Sequence, residues 1–118
     1  MAAGLATLDV YKEQKIFENA AAMAPYWEEA LHSLKGLPNV VDIRNEGLLG
    51  AVEMTPLSPT APVKRTMDIF DRCFDHGAFI RVTGPAVAFS PPLICEKKHI
   101  DRLIDVVTRS IHESAKNL

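Results

Sequence analysis

The stretch from Ala78 to Cys95 constrains the fold of this chain most, because it is apolar or neutral apart from one charge. Strand-forming residues flank Gly84-Pro85 on both sides, which predicts two short strands joined by a turn. Pro91-Pro92 then closes the stretch with a rigid step. The single charge is Arg81, which must reach water, pair with an acid or bind an anionic ligand.

Alternation along the first of these strands places Phe79, Arg81 and Thr83 on one face and the apolar residues 78, 80 and 82 on the other. The second set predicts the core face. A guanidinium binds a carboxylate through two parallel hydrogen bonds. The residues alone leave two interpretations of Arg81 open: a surface or ion-paired arginine on an edge strand, or an anchor for an anion.

Helical periodicity dominates the rest of the chain and predicts helices over residues 2–14, 16–35, 63–76 and 97–116. Residues 40–53 predict a hairpin that turns at Asn45-Glu46-Gly47. The order of elements therefore predicts an α+β fold. We expect a small, mostly antiparallel sheet, formed by the hairpin plus two further strands and covered by helices.

Three local details are tested below. Pro25 predicts a kink or break in the second helix. Cys95 stands where the cap of the last helix is expected, and it is a poor cap. For the third helix we expect a buried face of Val63, Met67, Phe70 and Phe74 and a solvated face of Arg65, Asp68, Asp71 and Arg72.

Size and charge limit the function classes. A chain of 118 residues suffices for one domain, here residues 1–118, with one modest core. The net charge of −2, without a run of Lys or Arg, gives nucleic-acid binding no electrostatic support. No apolar run approaches the roughly 20 residues that cross a bilayer, and no signal peptide is evident. Two cysteines are too few for a disulfide scaffold, so we expect a cytoplasmic protein.

Few residues could carry catalysis. The four histidines are scattered without metal-ligand spacing, and the seven lysines lie in polar surroundings. Phosphate loops, dinucleotide-binding glycine motifs and a nucleophile elbow are all absent. We therefore expect no catalytic residue and no metal site in this chain.

The run Arg81-Val-Thr-Gly-Pro-Ala-Val-Ala-Phe-Ser-Pro-Pro-Leu93 closely resembles the C-terminal segment of class III (omega) aminotransferases, which are pyridoxal-phosphate enzymes of fold type I. The similarity is strongest to the omega-amino acid:pyruvate, or β-alanine:pyruvate, group. Met1 to Tyr11 resembles the helix between the two domains of that family, and Val41 to Glu53 resembles its hairpin. The resemblance thus covers nearly the whole chain.

The resemblance implies that Arg81, ten residues before Pro91, binds the carboxylate of amino acid or keto acid substrates. It also implies that residues 1–118 are a single C-terminal small domain, in which residues 1–15 are a remnant of the interdomain helix and residues 16–118 form an α/β sandwich. The family's catalytic lysine and pyridoxal-phosphate site lie in a large domain without counterpart here. We therefore expect a piece of a longer, homo-oligomeric enzyme that is inactive by itself and holds no cofactor.

Two other readings of the sequence stay open. The chain could be a stand-alone α+β module that binds a small molecule, with Arg81 as its anion anchor. It could also be an interaction domain that docks another chain through an open face. An upstream reading frame for a pyridoxal-phosphate domain would favour the aminotransferase, whereas an intact independent gene would favour the other two.

Overall fold

Four helices and four strands build the chain, which we describe over all residues 1–118 from a computed structural model. The helices are α1 Ala2–Glu13, α2 Ile16–His32, α3 Lys64–Asp75 and α4 Lys97–Asn117. The strands are β1 Val40–Glu46, β2 Leu49–Met54, β3 Arg81–Thr83 and β4 Ala86–Phe89. The α+β fold and the predicted order of elements are confirmed. No helix is long and apolar enough to cross a membrane.

The strands form a single antiparallel sheet in the order β1-β2-β4-β3. Each hairpin closes at a glycine in the left-handed region, with φ of 56° at Gly47 and 59° at Gly84. Such angles cost glycine no Cβ clash, which explains glycine at both turns. The two hairpins meet through β2 and β4, so β3, which carries Arg81, is an edge strand.

The hydrophobic core lies on one face of this sheet. That face presents Val52, Val87 and Phe89 to the helices, and Trp27 of α2 packs edge-on against Phe89 with ring centroids 5.8 Å apart. Trp27 is fully buried. Helices α3 and α4 complete the core through Ile69, Cys73, Ile100, Val107 and Ile111.

The predicted buried face of α3 is wrong by one position, and Arg65 of the predicted solvated face is buried, whereas Asp71 is exposed as predicted. Val63, Met67 and Phe74 are exposed and Phe70 is half-buried, whereas Arg65, Thr66, Ile69 and Cys73 are buried. Thr66 donates to the carbonyl of Gly84 at 3.0 Å, and Arg65 Nε donates to the carbonyl of Thr55 at 2.7 Å. These hydrogen bonds satisfy the buried polar groups of Thr66 and Arg65. They also hold the face of α3 that contains these two residues against the sheet.

Two other expectations concern helices α2 and α4. Helix α2 passes through Pro25 without a break, and Pro25 is exposed there. The cap of α4 is Glu96 rather than Cys95: Glu96 and His99 form a reciprocal capping box, while Cys95 is buried.

Helix α1 extends from the domain and buries none of its residues. Leu5 and Leu8 remain 63% and 53% exposed. Lys15 separates α1 from α2 in the left-handed region, at φ 49°. Isolated helices of this length are marginal in water, so α1 depends on contacts outside the core of this chain.

Helices α3 and α4 are joined by an ionic cluster around Glu113. Its carboxylate pairs with His76 at 2.9 Å, with Arg109 at 3.0 Å and with Arg72 at 3.7 Å. The hydrogen bond from His76, followed by that from Arg109, lowers the pKa of Glu113 below its ordinary value of 4.5. His76, predicted to sit in the last turn of α3, is the C-cap residue of that helix.

This cluster predicts an acid-sensitive contribution to stability. A carboxylate whose pKa is lower in the folded state stabilises the fold above its unfolded pKa, and that stability is lost as the pH falls. We expect the free energy of unfolding to decrease as the pH falls below about 4.5. The decrease should be smaller in Glu113→Gln. Urea denaturation from pH 3 to 7 measures both. Glu28→Gln, at an exposed unpaired glutamate of α2, is the control. Identical acid losses for the parent and Glu113→Gln would contradict the prediction.

Candidate functional site

Arg81 begins β3, at the edge of the sheet, and its side chain is exposed. It takes part in none of the seven ion pairs and none of the side-chain hydrogen bonds of the chain. The predicted alternation is confirmed, since Phe79 and Thr83 are also exposed while Ile80 is buried. A guanidinium in this state retains its charge and its donors for an incoming anion.

The pairing register of the four strands places Arg81 in a row of paired residues that crosses the whole sheet. Arg81 pairs with Ala88, Ala88 with Ala51, and Ala51 with Arg44. Directly opposed residues share a face, so all four lie on the face away from the core. The next row on this face comprises Thr83, Ala86, Glu53 and Asp42. We call the two rows together the open face. Its centre is floored by three alanines between the two arginines: Ala86 is buried, and Ala51 and Ala88 are half-buried.

The far side of the open face carries an ionic triad. Arg44 Nη1 donates to Asp42 Oδ2 at 3.0 Å and to Glu53 Oε2 at 3.1 Å. These hydrogen bonds, with Glu53 first and Asp42 second, raise the pKa of Arg44. The triad holds two carboxylates and one guanidinium, so it leaves one net negative charge opposite Arg81.

Aromatic side chains lie close to the start of β3, where Phe79 precedes Arg81 by two residues. Phe79 is 80% exposed and meets Phe70 edge-on, with ring centroids 5.7 Å apart, and Phe74 at 6.3 Å. Phe79 also lines a shallow pocket of about 190 Å³ together with Ser90, Pro91 and His99. The surface near Arg81 thus combines a cation with exposed aromatic area.

Asn19 holds the loop after the Pro91-Pro92 step. Its side-chain amide donates to the carbonyls of Leu93 at 2.7 Å and of Cys95 at 3.1 Å. This link between α2 and the loop was missed by sequence reasoning, because 74 residues separate Asn19 from Leu93 and a lone asparagine on a helix carries no signal. It fixes the chain that leaves β4, the strand paired with Arg81.

The structure offers no second centre of chemistry. No group of three or more His, Cys, Asp or Glu side chains could hold a metal ion. His32 bonds Asn45 at 2.8 Å, His76 bonds Glu113, and His99 accepts from the backbone N–H of Glu96 at 3.0 Å. All seven lysines are exposed.

Comparison with known proteins decides the family. The model of class III aminotransferases matches residues 1–111. The chain belongs to the class III aminotransferase family. An omega-aminotransferase of Caulobacter vibrioides is 51% identical over 108 residues, which cover 92% of this chain and 24% of the relative. A beta-alanine–pyruvate aminotransferase of Pseudomonas aeruginosa is 34% identical, over 94% of this chain and 25% of the relative.

Solved structures agree with this assignment. A thermostable omega transaminase from Pseudomonas jessenii superposes with a TM-score of 0.85 at 27% identity, over 92% of this chain and 25% of that structure. A PMP-bound aminotransferase from Vibrio fluvialis also has a TM-score of 0.85, at 26% identity, over 93% and 25% of the two chains. This class III aminotransferase chain therefore spans about a quarter of the length of its relatives.

Class III aminotransferases depend on pyridoxal phosphate, and the residues of this chain do not fit that cofactor. Its attachment requires a lysine with a lowered pKa in an apolar or cation-flanked pocket. Every lysine here lies exposed on the surface instead.

Proposed function

We propose that this chain is the C-terminal small domain of a pyridoxal-phosphate-dependent omega-amino acid:pyruvate aminotransferase and that Arg81 binds the substrate carboxylate. The enzyme would move an amino group from β-alanine or a related omega-amine to pyruvate. The single observation that carries the proposal is the exposed, unpaired guanidinium of Arg81 on the open face of a class III domain.

The surroundings of Arg81 support the carboxylate role. The strand sets the position of the guanidinium, because β3 pairs with β4 along its whole length and Asn19 holds the chain that follows β4. The alanine floor leaves room for a small substrate beside the guanidinium. A charge-assisted hydrogen bond of this kind contributes roughly 1.5–3 kcal/mol.

Cofactor and amino-transfer chemistry would come from the large domain, and this chain would form one wall of the site. When bound, pyridoxal phosphate supplies an electron sink for the substrate nitrogen and carbon. The exposed apolar residues of α1, together with Phe74 and Phe79, would be covered by the large domain or by a second subunit of a homo-oligomer. The chain alone would be inactive.

A hybrid enzyme tests this function. The 108-residue matching segment of the Caulobacter vibrioides omega-aminotransferase is replaced by this chain, which at 51% identity preserves much of the domain contact. We expect the hybrid to transfer an amino group from an omega-amino acid to pyruvate, measured as alanine formed.

The isolated chain is the matched control. Mixed with pyridoxal phosphate and reduced with borohydride, it should show no pyridoxyl-lysine by mass spectrometry. A folded hybrid that binds pyridoxal phosphate but forms no alanine would contradict the proposal. A stable adduct on a lysine of the isolated chain would contradict the division of labour between the domains.

A further inference from the structure

We propose that Arg44 is a positioning residue for Arg81: by binding Glu53 it keeps that carboxylate from capturing the substrate-binding guanidinium. The idea rests on the proposed function for its effect on substrate, but the ion-pair exchange itself concerns only the open face. Arg44, Glu53 and Arg81 are brought to this face by three different strands.

Glu53 is the acid that threatens Arg81. Glu53 lies on the same face as Arg81, two strands away. It is in register with Thr83, which is two residues after Arg81 in β3. Strand spacing of about 4.8 Å and a rise of about 3.3 Å per residue put the two Cα atoms about 12 Å apart. An extended arginine and an extended glutamate together cover that separation.

The residues paired between Glu53 and Arg81 on the open face are Ala86 and Ala88, whose side chains are single methyl groups. Ala86 is buried and Ala88 is half-buried, so neither side chain projects between the carboxylate and the guanidinium. The carboxylate of Glu53 is 39% exposed and is held by Arg44 at 3.1 Å. Arg44 is therefore the group that decides whether Glu53 is available.

Electrostatics act in the same direction. With Arg44 present, the triad carries one net negative charge, whereas without it two carboxylates would face Arg81 uncompensated. A second negative charge on the open face also repels the carboxylate of a substrate. Loss of Arg44 should thus weaken substrate binding through both pairing and repulsion.

The deciding experiment measures the Nε–Hε group of Arg81 by ¹⁵N-edited NMR in the 118-residue chain, with Arg81→Lys to assign its signal. We expect fast exchange of Hε with water in the parent. In Arg44→Met, exchange should slow roughly two- to fivefold, the range of population shifts that exposed ion pairs produce. Adding Glu53→Gln should restore fast exchange, and Arg44→Lys should leave it fast.

Arg109→Met is the matched control, because it breaks a comparably exposed ion pair on α4, away from the sheet. It should leave the Arg81 signal unchanged. If Arg44→Met leaves the exchange of Arg81 unaltered, or slows it equally when Glu53→Gln is present, the proposal is overturned.

Kinetics of the hybrid enzyme separate this idea from the proposed function. Arg44→Met should raise the KM for pyruvate roughly two- to fivefold and leave an uncharged amine donor unaffected, with Glu53→Gln restoring the parent KM. If Arg81→Leu does not alter the KM for pyruvate, the carboxylate role fails while the NMR result still decides the ion-pair exchange.

Discussion

Replacing Arg81 with Leu in the hybrid enzyme should weaken pyruvate binding by roughly 10- to 150-fold. The estimate converts the roughly 1.5–3 kcal/mol of a charge-assisted hydrogen bond into a ratio of dissociation constants. Leucine keeps the aliphatic stem but removes every donor. The second half-reaction, measured at varied pyruvate, gives the change directly. An amine donor without a carboxylate should react as in the parent.

Two variants sharpen this result. Arg81→Lys keeps the charge but loses the two parallel donors, so it should recover only part of the affinity. Arg102→Leu removes an exposed arginine of α4 and should have no effect on pyruvate. An equal loss of affinity for pyruvate and for the uncharged amine would show that Arg81 supports the fold of the site and does not bind the carboxylate.

Replacing Gly50 with Ala should destabilise the domain by about 1–3 kcal/mol, the usual cost of overpacking a core. A Cβ at Gly50 would lie 2.6 Å from Leu31 Cδ2 and 2.9 Å from Trp27 Cζ2. Both side chains are fully buried, so neither can move aside without disturbing its neighbours. Urea denaturation of the isolated chain measures the loss, and a lowered Tm should accompany it.

Gly4→Ala provides the comparison, because Gly4 lies in α1 with open space around its Cα and alanine favours the helix. It should be neutral or stabilising. The clash with Leu31 also predicts coupling: Gly50→Ala should cost less in a Leu31→Ala background than in the parent. Additive losses would place the cost of Gly50→Ala elsewhere, in the strand itself.

The strand that carries Arg81 shows where sequence reasoning succeeds. Alternation between Phe79 and Thr83 requires only that one face of a strand be buried, so a period of two residues assigned the exposed face correctly. Gly47 and Gly84 marked the two hairpins for a similar reason, since tight turns need the left-handed region that glycine reaches at little cost.

Helix α3 shows where it fails. Two adjacent stripes compete on this helix, and the larger apolar side chains, Met67 and Phe74, belong to the stripe that faces outward. The inward stripe includes Thr66 and Arg65. These polar residues can be buried because they donate hydrogen bonds to the carbonyls of Gly84 and Thr55. Those partners lie in other segments, so no local pattern could reveal them.

The rest of the candidate site depends on register. Arg44 and Glu53 could be assigned to a hairpin from the sequence, but their place opposite Arg81 requires β2 to pair with β4. That pairing joins segments more than thirty residues apart, and a shift of one residue would turn each side chain to the other face. The triad therefore became visible only in three dimensions.

Helices cover only one face of the sheet. The residues that stabilise the domain are therefore separated from those that it exposes on the other face. Trp27, Val52 and Ile69 lie in the core and contribute to stability, whereas Arg44, Ala51 and Ala88 lie on the open face and outside the core. Substitutions at these three positions should therefore cost little in folding free energy. If the proposed function holds, the same substitutions should alter which carboxylates bind beside Arg81 while the fold persists.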